Sequence, residues 1–152
     1  VSAAALIAQA QALYERMGAA FEVNDWATIE QLWDRDDPAP FYIAEEHEPP
    51  ISDWAGLRAY WAATGRINLG ARFRWQVIAA KEALPGLMLT QFTLDWTIDV
   101  AGQGPMGGFN RGMGALRRGG DGQWRFCAHC EAPLAAITYV RALYRRMAEP
   151  LR

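Results

Sequence analysis

The sequence predicts an α+β domain, a curved antiparallel sheet wrapped around N-terminal helices and closed by a C-terminal helix. Three observations carry this. Apolar residues recur at three- and four-residue steps up to about Gly70 and alternate after it. Two turn signals, Pro85-Gly86 and Gly119-Gly120-Asp121-Gly122, divide the alternating half into hairpins. A last amphipathic stretch then follows Pro133. Helices kept apart from an antiparallel meander define the class.

In chain order, Leu6, Ala10, Leu13, Met17 and Phe21 line one face of a helix over residues 3–21. Asn24-Asp25 is a turn and cap signal for a shorter helix carrying Trp26, Ile29 and Trp33, which runs to the acidic break at 34–38. Phe41 to Glu46 reads as a short strand. Ser52-Asp53 caps a third helix with Trp54, Leu57, Tyr60 and Trp61 along one side, ending near Gly65. Four strands follow, over 71–84, 87–100, 106–118 and 123–131. The final helix starts at Pro133 and turns Ile137, Val140, Tyr144 and Met147 to its apolar side.

A chain of 152 residues with 51% hydrophobic and 21% charged residues fits one domain, 1–152, with a substantial core. A net charge of -2 gives no basic face for nucleic acid. Lys81 is the only lysine, so a lysine Schiff base is excluded unless Lys81 supplies it. No apolar run approaches the roughly 20 residues of a membrane span. The alanine-rich start lacks the basic region of a signal peptide, and the expected compartment is the cytoplasm.

Several apparent motifs carry no chemistry. Gly102, Gly104 and Gly107 match a dinucleotide-binding spacing, but the following residues read as a strand, leaving no helix N-terminus for a pyrophosphate. Ser2 and Ser52 are the only serines, one terminal and one beside a cap, which argues against a serine nucleophile. Cys127 and Cys130 lie three apart on a strand and so point to opposite faces, which suits neither a disulfide nor shared metal ligation. His47 and His129 have no local ligand spacing, so no metal and no cofactor is expected.

The element order resembles the nuclear-transport-factor-2-like superfamily, which includes SnoaL-like polyketide cyclases and ketosteroid-isomerase-like proteins. The matching features are Tyr14 late in the first helix and "NDWATIEQLW" as a short second helix after an N-D turn. "SDWAGLRAYW" looks like the family's third helix, and "GQWRFCAHCEAP" like its final strand. The resemblance covers nearly the whole chain and implies a cone with an apolar pocket open at one end, commonly assembled into dimers or larger oligomers through the sheet. It also implies a choice of functions: isomerases, cyclases, dehydratases, epoxide hydrolases, cofactor-free lyases and plain binding modules share the fold. The family's usual pair of histidines at the end of the last strand is not matched, since Ala128, His129 and Cys130 stand there.

Alternation places the candidate site residues. On the first strand Phe41, Ile43, Glu45 and His47 share a face that begins apolar and so is expected to face the pocket, with Tyr42 and Glu46 on the other. On the last strand His129 and Glu131 share a face with Arg125 and Cys127, opposite Trp124 and Phe126. Asn110 on the fourth strand opposes Phe109 and Arg111. The bland reading makes each histidine a hydrogen-bonded structural residue and each glutamate a solvated one. The chemical reading makes Glu45, His47 and His129 an acid–base set, with Tyr42 or Asn110 stabilising developing oxyanion charge. Trp54, Trp61, Phe92, Asn110 and Arg111 are the expected substrate contacts, suiting a flat aryl ligand. The leaning is a cofactor-free lyase on a lignin-derived diaryl compound. The alternatives are an isomerase, cyclase or hydrolase of the same fold, or a non-catalytic binding or association module, in each case as a homodimer or homotrimer.

Overall fold

The computed structural model describes residues 1–135 and 137–148. The helices are α1 (Ala3–Glu22), α2 (Trp26–Leu32), α3 (Trp54–Ile67) and α4 (Ile137–Ala148). The strands are β1 (Phe41–Ile43), β2 (Asn68–Leu84), β3 (Leu87–Val100), β4 (Gly104–Arg118) and β5 (Trp124–Pro133). They form one curved, unclosed sheet in the order β1-β5-β4-β3-β2. Four strands make the antiparallel meander, but β1 pairs parallel to β5, with Tyr42 opposite His129, so the sheet is mixed.

Local chemistry sets the boundaries. Ser2, Asp25 and Asp53 each accept a hydrogen bond from an amide of the first turn behind them, capping α1, α2 and α3. At the turn between β2 and β3, Gly86 has φ 77, the left-handed value that position i+2 of a type II turn requires. Two expectations move. Pro133 ends β5 rather than opening α4. β1 stops at Ile43 rather than Glu46, because Tyr42 turns its backbone bonds to Ile51 and the chain between folds into a loop. Of the expected apolar side of α4, Tyr144 is exposed and Val140 half-buried, while the side chains of Ile137 and Met147 lie outside the described residues.

The core lies between α1 and the concave face of the sheet. Tyr14 sits at its centre, with ring centroids of Trp75, Phe92 and Phe126 at 5.1, 5.0 and 5.0 Å. Its hydroxyl meets Thr90 Oγ1 at 3.0 Å, so the phenol is satisfied where no water reaches. Gly112 and Gly114 make room for this layer. A Cβ on Gly112 would overlap the Phe92 ring, and one on Gly114 the Tyr14 hydroxyl. On the other side of β5, Arg117 bonds Asp34 at 2.7 Å and Asp37 at 3.4 Å, both nearly buried, and so ties the segment leading into β1 to the sheet.

Candidate functional site

One cavity of about 370 Å³ opens inside the cone. Its walls are mostly apolar and aromatic, with Phe73, Trp75, Leu94, Trp96 and Ile98 from β2 and β3 and Phe21 from α1. Its titratable groups gather together, where Tyr42, Glu45, Glu46, Tyr60 and Glu131 meet beside Asn110, while Thr64 and Gln103 are the other polar residues of the lining. This is the composition of a small-molecule site, a greasy wall with a few converging polar groups.

Glu131 is the centre of that cluster. Its side chain is only 10% exposed, and three donors hold it. Tyr42 Oη donates to Oε1 at 2.8 Å, His129 Nε2 lies 2.8 Å from the same oxygen, and Asn110 Nδ2 donates to Oε2 at 3.0 Å. An ionised carboxylate only accepts, so the imidazole carries its proton on Nε2. Burial alone would push the Glu131 pKa up. The bonds from His129, Tyr42 and Asn110, with the attraction of His129, outweigh it and hold the carboxyl below its ordinary range. Trp96 Nε1 reaches Asn110 Oδ1 at 3.3 Å, which fixes the amide with its NH2 toward Glu131.

Glu45 is the counterpart. Burial, then the charges of Glu131 and Glu46, push its pKa above the ordinary carboxylate value. Its Oε2 is buried without a partner. Further out, Tyr60 donates to Glu46 Oε1 at 2.5 Å. Burial and the neighbouring carboxylates raise both Tyr42 and Tyr60 well above an ordinary phenol, so both stay protonated.

The expected residues separate in space. Tyr42, Glu45 and Asn110 line the cavity. His129 lies behind it, 2% exposed, stacked on Phe92 at 4.9 Å with rings 8° apart, and reaches the cavity only through Glu131. Phe92 therefore supports His129 rather than forming the wall. Trp61 is a core residue beside a void of about 10 Å³ that His129 and Glu131 share. Trp54 packs outside the cavity, with its Nε1 donating to Asp37 O at 2.8 Å. Arg111 is exposed on the convex face.

His47 lines a separate groove against α3, with Nδ1 2.7 Å from Pro49 O and its ring edge-on to Tyr60. The face assigned to β1 is thus reversed: Phe41 and Ile43 point outward at 50% and 40% exposure and Tyr42 points in. An apolar residue on a short edge strand marks no face by itself. The face assigned to β5 is corrected too. Ala115 pairs with Ala128 while Leu116 pairs with Phe126, so Cys127 is an extra residue, a β-bulge. The bulge resets the alternation, and Trp124, Phe126, His129 and Glu131 all face inward.

The residues missed in sequence were Glu131 as the central group, and Tyr60 and Glu46 beside it. The spacing of two paired Glu131 with His129 on one strand face, but nothing local showed that this face turns inward. Both cysteines are free thiols, Cys127 donating to Ala115 O at 3.3 Å. Among the described residues no cluster of three metal-ligating side chains occurs, and no helix is long and apolar enough to cross a membrane.

No protein-family model matches the chain, and no curated protein is significantly similar to it in sequence. Solved structures are similar in fold. A proposed dehydratase of the nuclear transport factor 2-like family from Streptomyces avermitilis is 16% identical, with 89% of this chain and 100% of that one covered and a TM-score of 0.73. A ketosteroid isomerase-like protein from Erwinia carotovora atroseptica is 13% identical, covering 86% and 97%, with a TM-score of 0.71. A proposed scytalone dehydratase from Novosphingobium aromaticivorans is 8% identical, covering 84% and 83%, with a TM-score of 0.72. The chain has the nuclear-transport-factor-2-like fold.

Proposed function

We propose that this chain is a cofactor-independent acid–base enzyme acting on a flat, largely apolar, aryl-bearing small molecule, and that it is a lyase that eliminates water. The observation that carries the reading is the pair of carboxylates on one cavity whose proton affinities are pushed in opposite directions, Glu131 down and Glu45 up. Such a pair divides the roles of base and acid between two like side chains. The solved dehydratases and isomerase-like protein of the same fold are consistent with small-molecule chemistry of this kind.

In the proposed reaction the aryl group lies against Phe73, Trp75 and Trp96. Glu131 removes a proton from carbon beside a carbonyl, and the C–H electron pair forms the new C=C bond. The C–O bond at the next carbon breaks, and Glu45, protonated, gives its proton to the departing hydroxyl, which leaves as water. Asn110 holds Glu131 in position. His129 acts through Glu131 and touches no substrate, so it is a positioning residue.

The test uses two probes. Ring opening of 5-nitrobenzisoxazole needs only a base, whereas dehydration of 3-hydroxy-1-phenylpropan-1-one needs base and acid. We expect wild type to accelerate both, Glu131→Gln to lose ~10²–10⁴ in kcat/KM on both, and Glu45→Gln to lose more on the second than on the first. Wild type no faster than free acetate, or Glu131→Gln equal to wild type, overturns the reading.

We further propose that the chain assembles as a homodimer or homotrimer through the convex face of the sheet. Phe41 and Ile43 on β1 and Phe109 and Met113 on β4, the two strands that flank β5, are exposed apolar residues there. A monomer by light scattering at high micromolar concentration contradicts this.

A further inference from the structure

Two tyrosines and a surface carboxylate extend the polar cluster of the cavity in a direction the proposed reaction does not use. Burial grades along this line. Glu131 and Tyr42 are nearly buried, Tyr60 is half-buried and Glu46 is exposed. Each hydroxyl already donates to a carboxylate, Tyr42 to Glu131 Oε1 at 2.8 Å and Tyr60 to Glu46 Oε1 at 2.5 Å. The two rings meet edge-on at 5.2 Å between centroids. At rest each hydroxyl has its proton turned toward a carboxylate, Tyr42 to Glu131 and Tyr60 to Glu46, and not toward the other ring.

We propose that Tyr42, Tyr60 and Glu46 form a relay by which Glu131 exchanges its proton with solvent. The inference rests on Glu131 being the base. As the Tyr42 hydroxyl turns from Glu131 Oε1 toward Tyr60 Oη, it frees the Oε1 lone pair it occupied, and the proton received by Glu131 sits there, against Tyr42 Oη. That proton passes to Tyr42 Oη as the Tyr42 proton passes to Tyr60 Oη. The Tyr60 proton passes in turn to the Glu46 carboxylate, which releases it to water. Each oxygen gains one proton and loses one, so neither tyrosine becomes a free phenolate. The raised proton affinity of both phenols favours this neutral passage over ionisation. A ligand that fills the cavity blocks water from Glu131 but leaves this side route open.

His129 supplies a readout that needs no substrate. Its Nε2 proton lies on Glu131 Oε1 in a side chain 2% exposed, so that proton leaves through Glu131. The chain holds two histidines, so 15N-histidine labelling gives a simple spectrum, and His47→Gln assigns it. Solvent exchange of the His129 Nε2 proton would be compared in wild type, Tyr60→Phe and Glu46→Gln, with unfolding free energies measured alongside. The relay predicts exchange slowed on the order of tenfold or more in both variants at unchanged stability, because the hydrogen-bonded path is cut and local opening is not. Wild-type rates in either variant, or rates that merely follow global unfolding, overturn it. Loss of base catalysis in Glu131→Gln with unchanged exchange in Tyr60→Phe would remove the relay and leave the proposed function standing.

Discussion

Two stretches of this chain put a glutamate and a histidine two residues apart, Glu45-Glu46-His47 and His129-Cys130-Glu131, and they come to opposite ends. In β5 the pair is held between β1 and β4, both side chains face inward, and they join in one bonded unit. After β1 the ladder has already ended at Ile43. Glu45 turns into the cavity, while His47 turns to Pro49 and the outer groove. Spacing of two fixes orientation only where neighbouring strands hold the backbone on its pleat.

The comparison can be broken most severely in β5, between the histidine and its glutamate. Inserting one alanine between Cys130 and Glu131 adds a step to the pleat and turns Glu131 outward, leaving the Tyr42, Asn110 and His129 donors without their acceptor. We expect a loss on the order of 4 kcal/mol or more in urea melts. A milder change acts on the approach to β1. Arg117→Ala leaves Asp34 and Asp37 nearly buried without their cation. Because the arginine is itself half-exposed, we expect about 1–3 kcal/mol in the same assay, less than for a fully buried pair.

Glu45→Gln should move stability in a pH-dependent direction. A carboxyl raised on folding favours the folded state most fully below its unfolded pKa of about 4.3, and that contribution is lost as pH rises through the folded value. The glutamine variant, with no charge to bury, should therefore match or exceed wild-type stability at pH 7 while dehydrating its probe more slowly. Glu131 works the other way. Its stabilisation is present above about 4.3 and lost as pH falls through its depressed folded value. The smallest effect belongs to His47→Ala, which should shift unfolding by no more than about 0.5 kcal/mol and leave both probe reactions unchanged. A large loss of rate there would undo the contrast between the two stretches.

Much of the fold was legible because its signals are local. The change of period near Gly70, the Pro85-Gly86 turn and the Asp25 and Asp53 caps each act within a few residues of themselves. The polar cluster of the cavity was legible in part. Tyr42, Glu45 and Asn110 were named, and the inward turn of Asn110 between exposed Phe109 and Arg111 follows from alternation alone. Glu131 was hidden for a physical reason. Its role depends on a bulge at Cys127 and on a parallel partner that sets Tyr42 opposite His129, and both are properties of pairing between distant segments. Tyr60 read as one more residue of an apolar helix side, because nothing in α3 announces that Glu46 will lie beside it.

The central claim is that one cavity holds two glutamates whose proton affinities are pushed apart, Glu131 down and Glu45 up. It is tested most directly by the carboxyl 13C shifts of the glutamates followed across pH in 13C-glutamate-labelled protein, with Glu131→Gln and Glu45→Gln assigning the two resonances. The account predicts that Glu131 titrates below the ordinary glutamate value and Glu45 above it, so that between the two pH values one is charged and the other neutral. Both titrating together at the ordinary value, or Glu131 titrating above Glu45, would contradict it.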